Sequence, residues 1–389
     1  MKISVGKDVK ILSLAFLFIF LGYNSIQQYV TTFFADSGII DLGFQSLILV
    51  YLFFTLSDPL SAVAVSKIGS KRCMVAASFF YSLFIILLLT KSAGLIYLGS
   101  SVLGVAASLL WTGQNSYLIR VSGKKVYGRN SGFFYTLLFL GSALGVVAIG
   151  FAAPYLQFSL VFLAFSALPL VGLLLLTRIK DVRTEKQANH LKLIKKSITS
   201  HTALKLSSIW FVMEFISGLV IGIIPLVIKD VLGVAYIGLL SSVFYVMPIF
   251  LSYIFGRTSD IKGRKFMVVV SYALLVAGLL SMSFSGQPLF LVSGILIFSV
   301  VLSIITPIRD ALAGDVTTKR NLEYFVSLVW MVRNIGVVAA LALSQFFKLQ
   351  TSNLYLISIF VVAASFLIAA PVLRLNIKEI RERISKEVG

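Results

Sequence analysis

The chain has 389 residues, of which 58% are hydrophobic and 13% charged, and its mean hydropathy is +0.98. A soluble globular chain carries about 25% charged residues, so the composition excludes one and points to an integral membrane protein. The formal net charge is +19, and a lone cysteine, Cys73, excludes an internal disulfide and a cysteine-based metal site.

The N-terminus, MKISVGKDVK, starts positive, but the apolar run after it is too long for a cleaved signal peptide and is expected to be the first permanent span. A span needs about 20 apolar residues. Twelve such runs follow one another: 10–34, 44–65, 73–90, 95–119, 131–153, 158–176, 208–228, 236–255, 266–284, 290–313, 323–347 and 354–372. Between the sixth and seventh lies a charge-dense stretch, 177–207, with eight Lys and Arg against Asp181 and Glu185, and both histidines, His190 and His201. Such a stretch cannot sit in hydrocarbon, so it reads as a water-exposed connector. The expected organisation is a six-helix half (1–176), a basic cytoplasmic connector (177–207), a second six-helix half (208–372) and a cytoplasmic tail (373–389).

With the N-terminus inside, the internal segments hold 29 of the 34 Lys and Arg, and the external loops hold Lys91, Lys229 and Lys348 alone. That asymmetry places both termini in the cytoplasm. It also assigns the net charge to the cytoplasmic leaflet and leaves no reason to invoke nucleic acid.

The two halves resemble each other. At a shift of 194, Gly69 meets Gly263, Lys71 meets Lys265, Asp36 meets Asp230 and Thr112 meets Thr306. Past a loop three residues shorter in the second half, the shift becomes 191. Arg129-Asn130 then meets Arg320-Asn321, Phe134 meets Phe325 and Gly145-Val146-Val147 meets Gly336-Val337-Val338. Colinear matches of this kind indicate a parallel duplication, one of the recognised transporter architectures.

Between spans 8 and 9 stand Gly256, Asp260, Gly263, Arg264 and Lys265. This spacing resembles the cytoplasmic loop signature of the major facilitator superfamily, in which an aspartate fastens one conformation of a gate. The copy between spans 2 and 3 keeps Gly69, Lys71 and Arg72 but has Ser66 where the aspartate belongs. The rival reading of both loops is a basic turn that only sets topology. A narrower resemblance covers about a third of the chain. The stretches 21–34, 42–72 and 109–134, with Asn24-Ser25-Ile26-Gln27 in span 1 and Trp111-Thr112-Gly113-Gln114 in span 4, are similar to the uncoordinated-type (UNC-93-like) ion-channel-regulator family. The fold implied is all-α, twelve transmembrane helices in two six-helix repeats.

Ionisable groups inside spans are functional candidates: Asp58, Glu214, Arg309, Asp310 and Arg333. Span 1 adds a polar stripe, Asn24, Gln27, Gln28 and Thr31, from i,i+4 spacing. Span 4 offers Trp111, Gln114, Asn115 and Tyr117. The superfamily resemblance implies that spans 1, 4, 7 and 10 line a central cavity, with these residues and with Glu214, Arg309 and Asp310. The competing reading makes the same groups inter-helix bonds. In facilitators spans 2 and 11 face each other, so Asp58 and Arg333 are expected to pair as a gate, with Arg120 as the rival partner of Asp58. Gly141/Gly145 and Gly218/Gly222 have the GxxxG spacing of close helix packing.

No GxxxxGK[ST] phosphate loop is present, and both histidines lie in the connector. The expectation is therefore neither an ATP-driven pump nor an enzyme, with no catalytic residue, metal or cofactor. It is a monomeric, multi-pass secondary transporter of the plasma membrane, moving a small-molecule substrate across the lipid bilayer by alternating access, with protons as candidate coupling ion. The alternative is a non-transporting membrane regulator that binds an ion channel or another membrane partner.

Overall fold

A computed structural model of the chain describes residues 6–122, 127–182, 199–317, 322–348 and 350–388. The described residues form fifteen helices and no strand. In the first half these are α1 (Lys7–Asp36), α2 (Ile40–Ile68), α3 (Ser70–Leu89), α4 (Ala93–Val121), α5 (Tyr127–Ala152), α6 (Phe158–Ser166) and α7 (Leu168–Leu176). In the second half they are α8 (His201–Gly222), α9 (Ile224–Leu232), α10 (Val234–Lys262), α11 (Arg264–Met282), α12 (Pro288–Val316), α13 (Leu322–Phe346), α14 (Thr351–Arg374) and α15 (Ile377–Val388). Twelve helical stretches are long and apolar enough to cross a bilayer. A helix satisfies its own backbone, which lipid demands, so apolar runs of this length have one stable form.

The chain divides into two compact units, residues 1–188 with 234–245, and residues 189–233 with 246–389. In the first unit α1 packs against α5 and α7, and α4 packs against α2 and α3. Gly141 and Gly145 of α5 lie on the α1 backbone at Leu17 and Leu21, where a Cβ would strike main-chain carbonyls. In the second unit α8 packs against α13 and α14, and α11 against α12 and α14. Here Gly336 of α13 lies on the α8 backbone at Phe211 and Phe215, and Gly218 of α8 lies on Val337 and Ala340. Ser208 and Ser365 bond reciprocally across α8 and α14, and Tyr272 of α11 joins them at 2.8 Å.

Matched positions of the repeat have matched geometry. Gly69 and Gly263 end α2 and α10 with φ/ψ of 101/145° and 93/145°, a region that side chains avoid and glycine permits. Phe134 of α5 stacks edge-on to Phe16 of α1 at 4.9 Å. At the corresponding places Phe325 of α13 meets Trp210 of α8 at 5.7 Å. The Arg320-Asn321 side of the match with Arg129-Asn130 lies outside the described residues.

Three boundaries differ from expectation. The seventh span starts at His201, because Ser200 caps the helix by accepting from the Ala203 amide at 3.1 Å. Lys205 and His201 therefore stand on the first turns of a helix, and the expected connector ends seven residues early; its middle, 183–198, lies outside the described residues. Spans 6 and 7 are each broken, at Pro169 and Pro225, since proline cannot donate to the helix ladder. Finally, most of the expected tail is the helix α15, with Ile380 and Ile384 fully buried.

Candidate functional site

The structure gathers Glu214, Arg309 and Arg333 into one cluster in the second unit. Glu214 stands thirteen residues into α8, about 20 Å along it, close to the middle of the helix pair α8–α9. The earlier start of α8 moves this carboxylate deeper than the sequence suggested. Arg333 lies near the middle of α13, and Arg309 lies seven residues before the end of α12. One oxygen, Glu214 Oε1, accepts from three guanidinium donors: Arg309 Nη1 at 3.1 Å, Arg333 Nε at 2.9 Å and Arg333 Nη2 at 2.5 Å. The Arg333 guanidinium lies over the Trp330 ring, 4.2 Å from its centre. The three side chains remain 15%, 17% and 14% exposed, so the cluster is recessed but not sealed. Two guanidiniums and one carboxylate leave the trio with a formal charge of +1. The side chain of Asp310 lies outside those described.

The sequence placed Glu214 and Arg309 together but assigned Arg333 to a gate with Asp58. Within the second unit Arg333 binds Glu214, 119 residues away in sequence. Within the first, Asp58 accepts from Ser108 of α4 at 2.7 Å.

The polar stripe of α1 is spent largely on helix contacts. Asn24 donates to Ser142 of α5 at 2.9 Å, and Gln27 donates to Tyr51 of α2 at 2.9 Å. Gln28 and Thr31 are fully buried. On α4, Trp111 packs against Phe16 and Phe20 of α1, and Tyr117 donates to the Lys180 carbonyl at 3.0 Å. Asn115 is half-buried. Gln114 is fully buried, and neither of its amide atoms meets a hydrogen-bond partner among the described residues. A cavity of about 390 Å³ opens between α8, α13 and α14, but its walls, such as Leu204, Phe211, Val361 and Ile368, are almost wholly apolar. No member of the ionic trio lines it.

The loop signature after α10 is a working network. Arg264 pairs with Asp260 at 2.5 Å across Gly263, donates to Ser259 at 2.6 Å and reaches Asp315 at the end of α12 at 3.2 Å. A Cβ on Gly256 would lie 3.5 Å from Pro307 of α12, and Lys265 stands in the first turn of α11. In the first copy, Ser66 turns its hydroxyl back onto the Val63 carbonyl of its own helix. A Cβ on Gly69 there would lie 3.7 Å from a carboxylate oxygen of Asp181, while Lys71 and Arg72 stand in the first turn of α3.

Two straps went unread in the sequence. After α7, the Lys180 amide donates to Asp8 of α1 and its carbonyl receives Tyr117 of α4. After α14, Glu387 of α15 receives the Ser200 hydroxyl at 2.5 Å, the Thr202 hydroxyl at 2.6 Å and the Thr202 amide at 3.0 Å. Arg381 of α15 donates to the Asp315 carbonyl. The signal was the Ile380/Ile384 pair within an otherwise charged segment.

Comparison with known proteins follows the same lines. The chain is 36% identical over 125 residues to UNC93-like protein 3 of Arabidopsis thaliana, covering 31% of this chain and 26% of that protein. It is 27% identical over 134 residues to UNC93-like protein MFSD11 of Xenopus laevis, covering 34% and 30%. It is 28% identical over 155 residues to the putative potassium channel regulatory protein unc-93 of Caenorhabditis elegans, covering 37% and 21%. Each match spans less than a third of the relative's own length. A family model, described as Major Facilitator Superfamily, matches residues 11–221 and 206–388. With twelve apolar helices and nearly the whole chain matched, the protein is a multi-pass membrane protein that belongs to the major facilitator superfamily.

Proposed function

We propose that this protein is a secondary active transporter that moves a small solute by alternating access, with the trio Glu214, Arg309 and Arg333 as part of its solute site. The observation that carries this is the cluster itself. Ionised groups are expensive at that depth of a spanning helix and persist there mainly for function. A merely structural tie between α8, α12 and α13 could be made by apolar packing at less cost. The basic residues orient the chain with both termini in the cytoplasm, and the plasma membrane is the expected location. Protons are the coupling ion of this reading, carried by an intramembrane carboxylate, Asp58, Glu214 or Asp310.

The test is uptake by proteoliposomes from a defined mixture of sugars, amino acids, carboxylates and nucleosides, with and without an imposed pH gradient. Mass spectrometry of the lumen should show at least one solute accumulated above protein-free vesicles, and more of it with the gradient. A lumen identical to that of protein-free vesicles for every class would refute the reading. Indifference to the gradient would remove proton coupling alone.

A second reading rests on the relative whose name makes it a putative potassium channel regulatory protein and on Ser66 in the first loop copy. Under it the chain binds a channel subunit instead of a solute. Purification from mild detergent would then return one stoichiometric membrane partner.

A further inference from the structure

We infer that the substrate is a small organic carboxylate, bound by Arg309 and Arg333 in exchange for Glu214. The inference rests on the transporter reading and specifies its solute. Its basis is the way in which Glu214 uses its partners. Arg333 offers Nε–H and Nη2–H, a planar fork that matches the two oxygens of one carboxylate. Glu214 fills both prongs with the single atom Oε1, at 2.9 and 2.5 Å, and the same atom takes Arg309 at 3.1 Å. Three charged donors thus converge on one oxygen, while the two-oxygen geometry that the fork favours is not used. A carboxylate arriving from solution can present one oxygen to each prong, and Arg309 is already within reach of the same point.

Two further features fit an exchange site. The Trp330 ring covers one face of the Arg333 guanidinium and fixes the plane of the fork. The side chains are 14–17% exposed, so the cluster is not sealed inside the helix packing. A carboxylate is favoured over other anions because the site already accommodates one. Glu214 on this account is a resident competitor: it holds the arginines in place when no substrate is present and yields them when one arrives.

That role makes an unusual prediction, since removing the competitor should strengthen binding. Full-length protein in nanodiscs would be thermally unfolded with propionate, succinate, benzoate and phenyl phosphate, at ionic strength held constant with chloride, and with propionamide, succinamide and benzamide as neutral counterparts. At least one carboxylate should raise the unfolding midpoint while its amide does not. Glu214→Gln should tighten that carboxylate about tenfold, the worth of one charge-assisted hydrogen bond. Arg333→Lys keeps the charge but loses the fork, so it should weaken the same ligand about tenfold even where Arg333→Gln fails to fold. Amides equal to acids, no response to any acid, or Glu214→Gln weakening the ligand would each overturn the inference. In the first case a neutral solute is bound and the transporter reading survives. If vesicles also take up no solute of any class, the transporter reading falls as well.

Discussion

Replacing Glu387, which lies outside the spans, by alanine should loosen the first turn of α8 and leave the rest of that helix unchanged. The first amides of a helix have no partner within it. In α8, Ser200 takes the Ala203 amide, and Glu387 of α15 takes the Thr202 amide at 3.0 Å together with the Ser200 and Thr202 hydroxyls. A carboxylate here also faces the positive end of the helix dipole. Three hydrogen bonds to a charged group would be worth several kcal/mol if buried. Glu387 lies on an exposed surface, so a cap-like loss of about 1–2 kcal/mol is the realistic figure. At 1.4 kcal/mol per decade, hydrogen exchange of the amides near Thr202 and Ala203 should quicken about 5–30-fold. The middle of α8 should not change. Burial alone would raise the Glu387 pKa, but the hydrogen bonds from Ser200 and Thr202 and the neighbouring His201 outweigh it, and the carboxyl titrates below its ordinary value of 4.5. A depressed carboxyl contributes stability that is complete above that ordinary value and is lost as pH falls through the depressed one. Protection of these amides should therefore fade below about pH 4.5 in the native protein and stay flat in Glu387→Gln. Exchange unchanged by Glu387→Ala would refute the strap.

Other substitutions test the packing. Gly336→Val would push a side chain into the Phe211 carbonyl and the Phe215 amide; it should destabilise the second unit by roughly 2 kcal/mol or more, whereas Gly132→Ala, with open space around it, should be tolerated, as thermal unfolding of both variants would show. Gln114→Met removes a buried amide with no hydrogen-bond partner among the described residues; it should raise stability by about 1–3 kcal/mol, and a fall of that size would mean that the amide binds something. Gly263→Ala forces a side chain to φ +93° and should cost about 1–2 kcal/mol, read as a lower unfolding midpoint.

The spans were legible because hydrocarbon thickness imposes a length that composition reveals directly. The repeat was legible for a related reason. Gly69 and Gly263 must both be glycine at φ near +100°, so the backbone writes itself into the sequence at equal spacing. The ionic trio was not legible. Its members are 95 and 119 residues apart, and nothing local states which carboxylate an arginine will meet. Asp58 and Arg333 were paired on the family's arrangement of spans, and a nearer partner within the second unit was missed. The depth of Glu214 was misjudged because Lys205 and His201 looked like connector, although Ser200 is a good helix cap followed by helix-forming residues. The polar residues of α1 were read as a stripe toward a cavity, yet Asn24 and Gln27 each have a partner on a neighbouring helix. A sequence shows that a polar group is present in a span and leaves open which side chain it will bond.

The straps show why the two loop copies need not match. In each half the chain, on leaving its last span, returns to join the start of the first span to the end of the fourth. Lys180 does this between Asp8 of α1 and Tyr117 of α4, and α15 does it between Thr202 of α8 and Asp315 of α12. In the second unit Asp315 also receives Arg264 from the loop signature, so loop and strap share one anchor and Asp260 holds Arg264 in reach of it. In the first unit Ser66 supplies no carboxylate, and the Asp181 carboxylate lies beside the corresponding glycine, 3.7 Å from where a Cβ on Gly69 would sit. The first loop copy therefore has no counterpart of the Asp260–Arg264 pair in its own sequence, whereas its strap still ties α1 to α4 through Lys180.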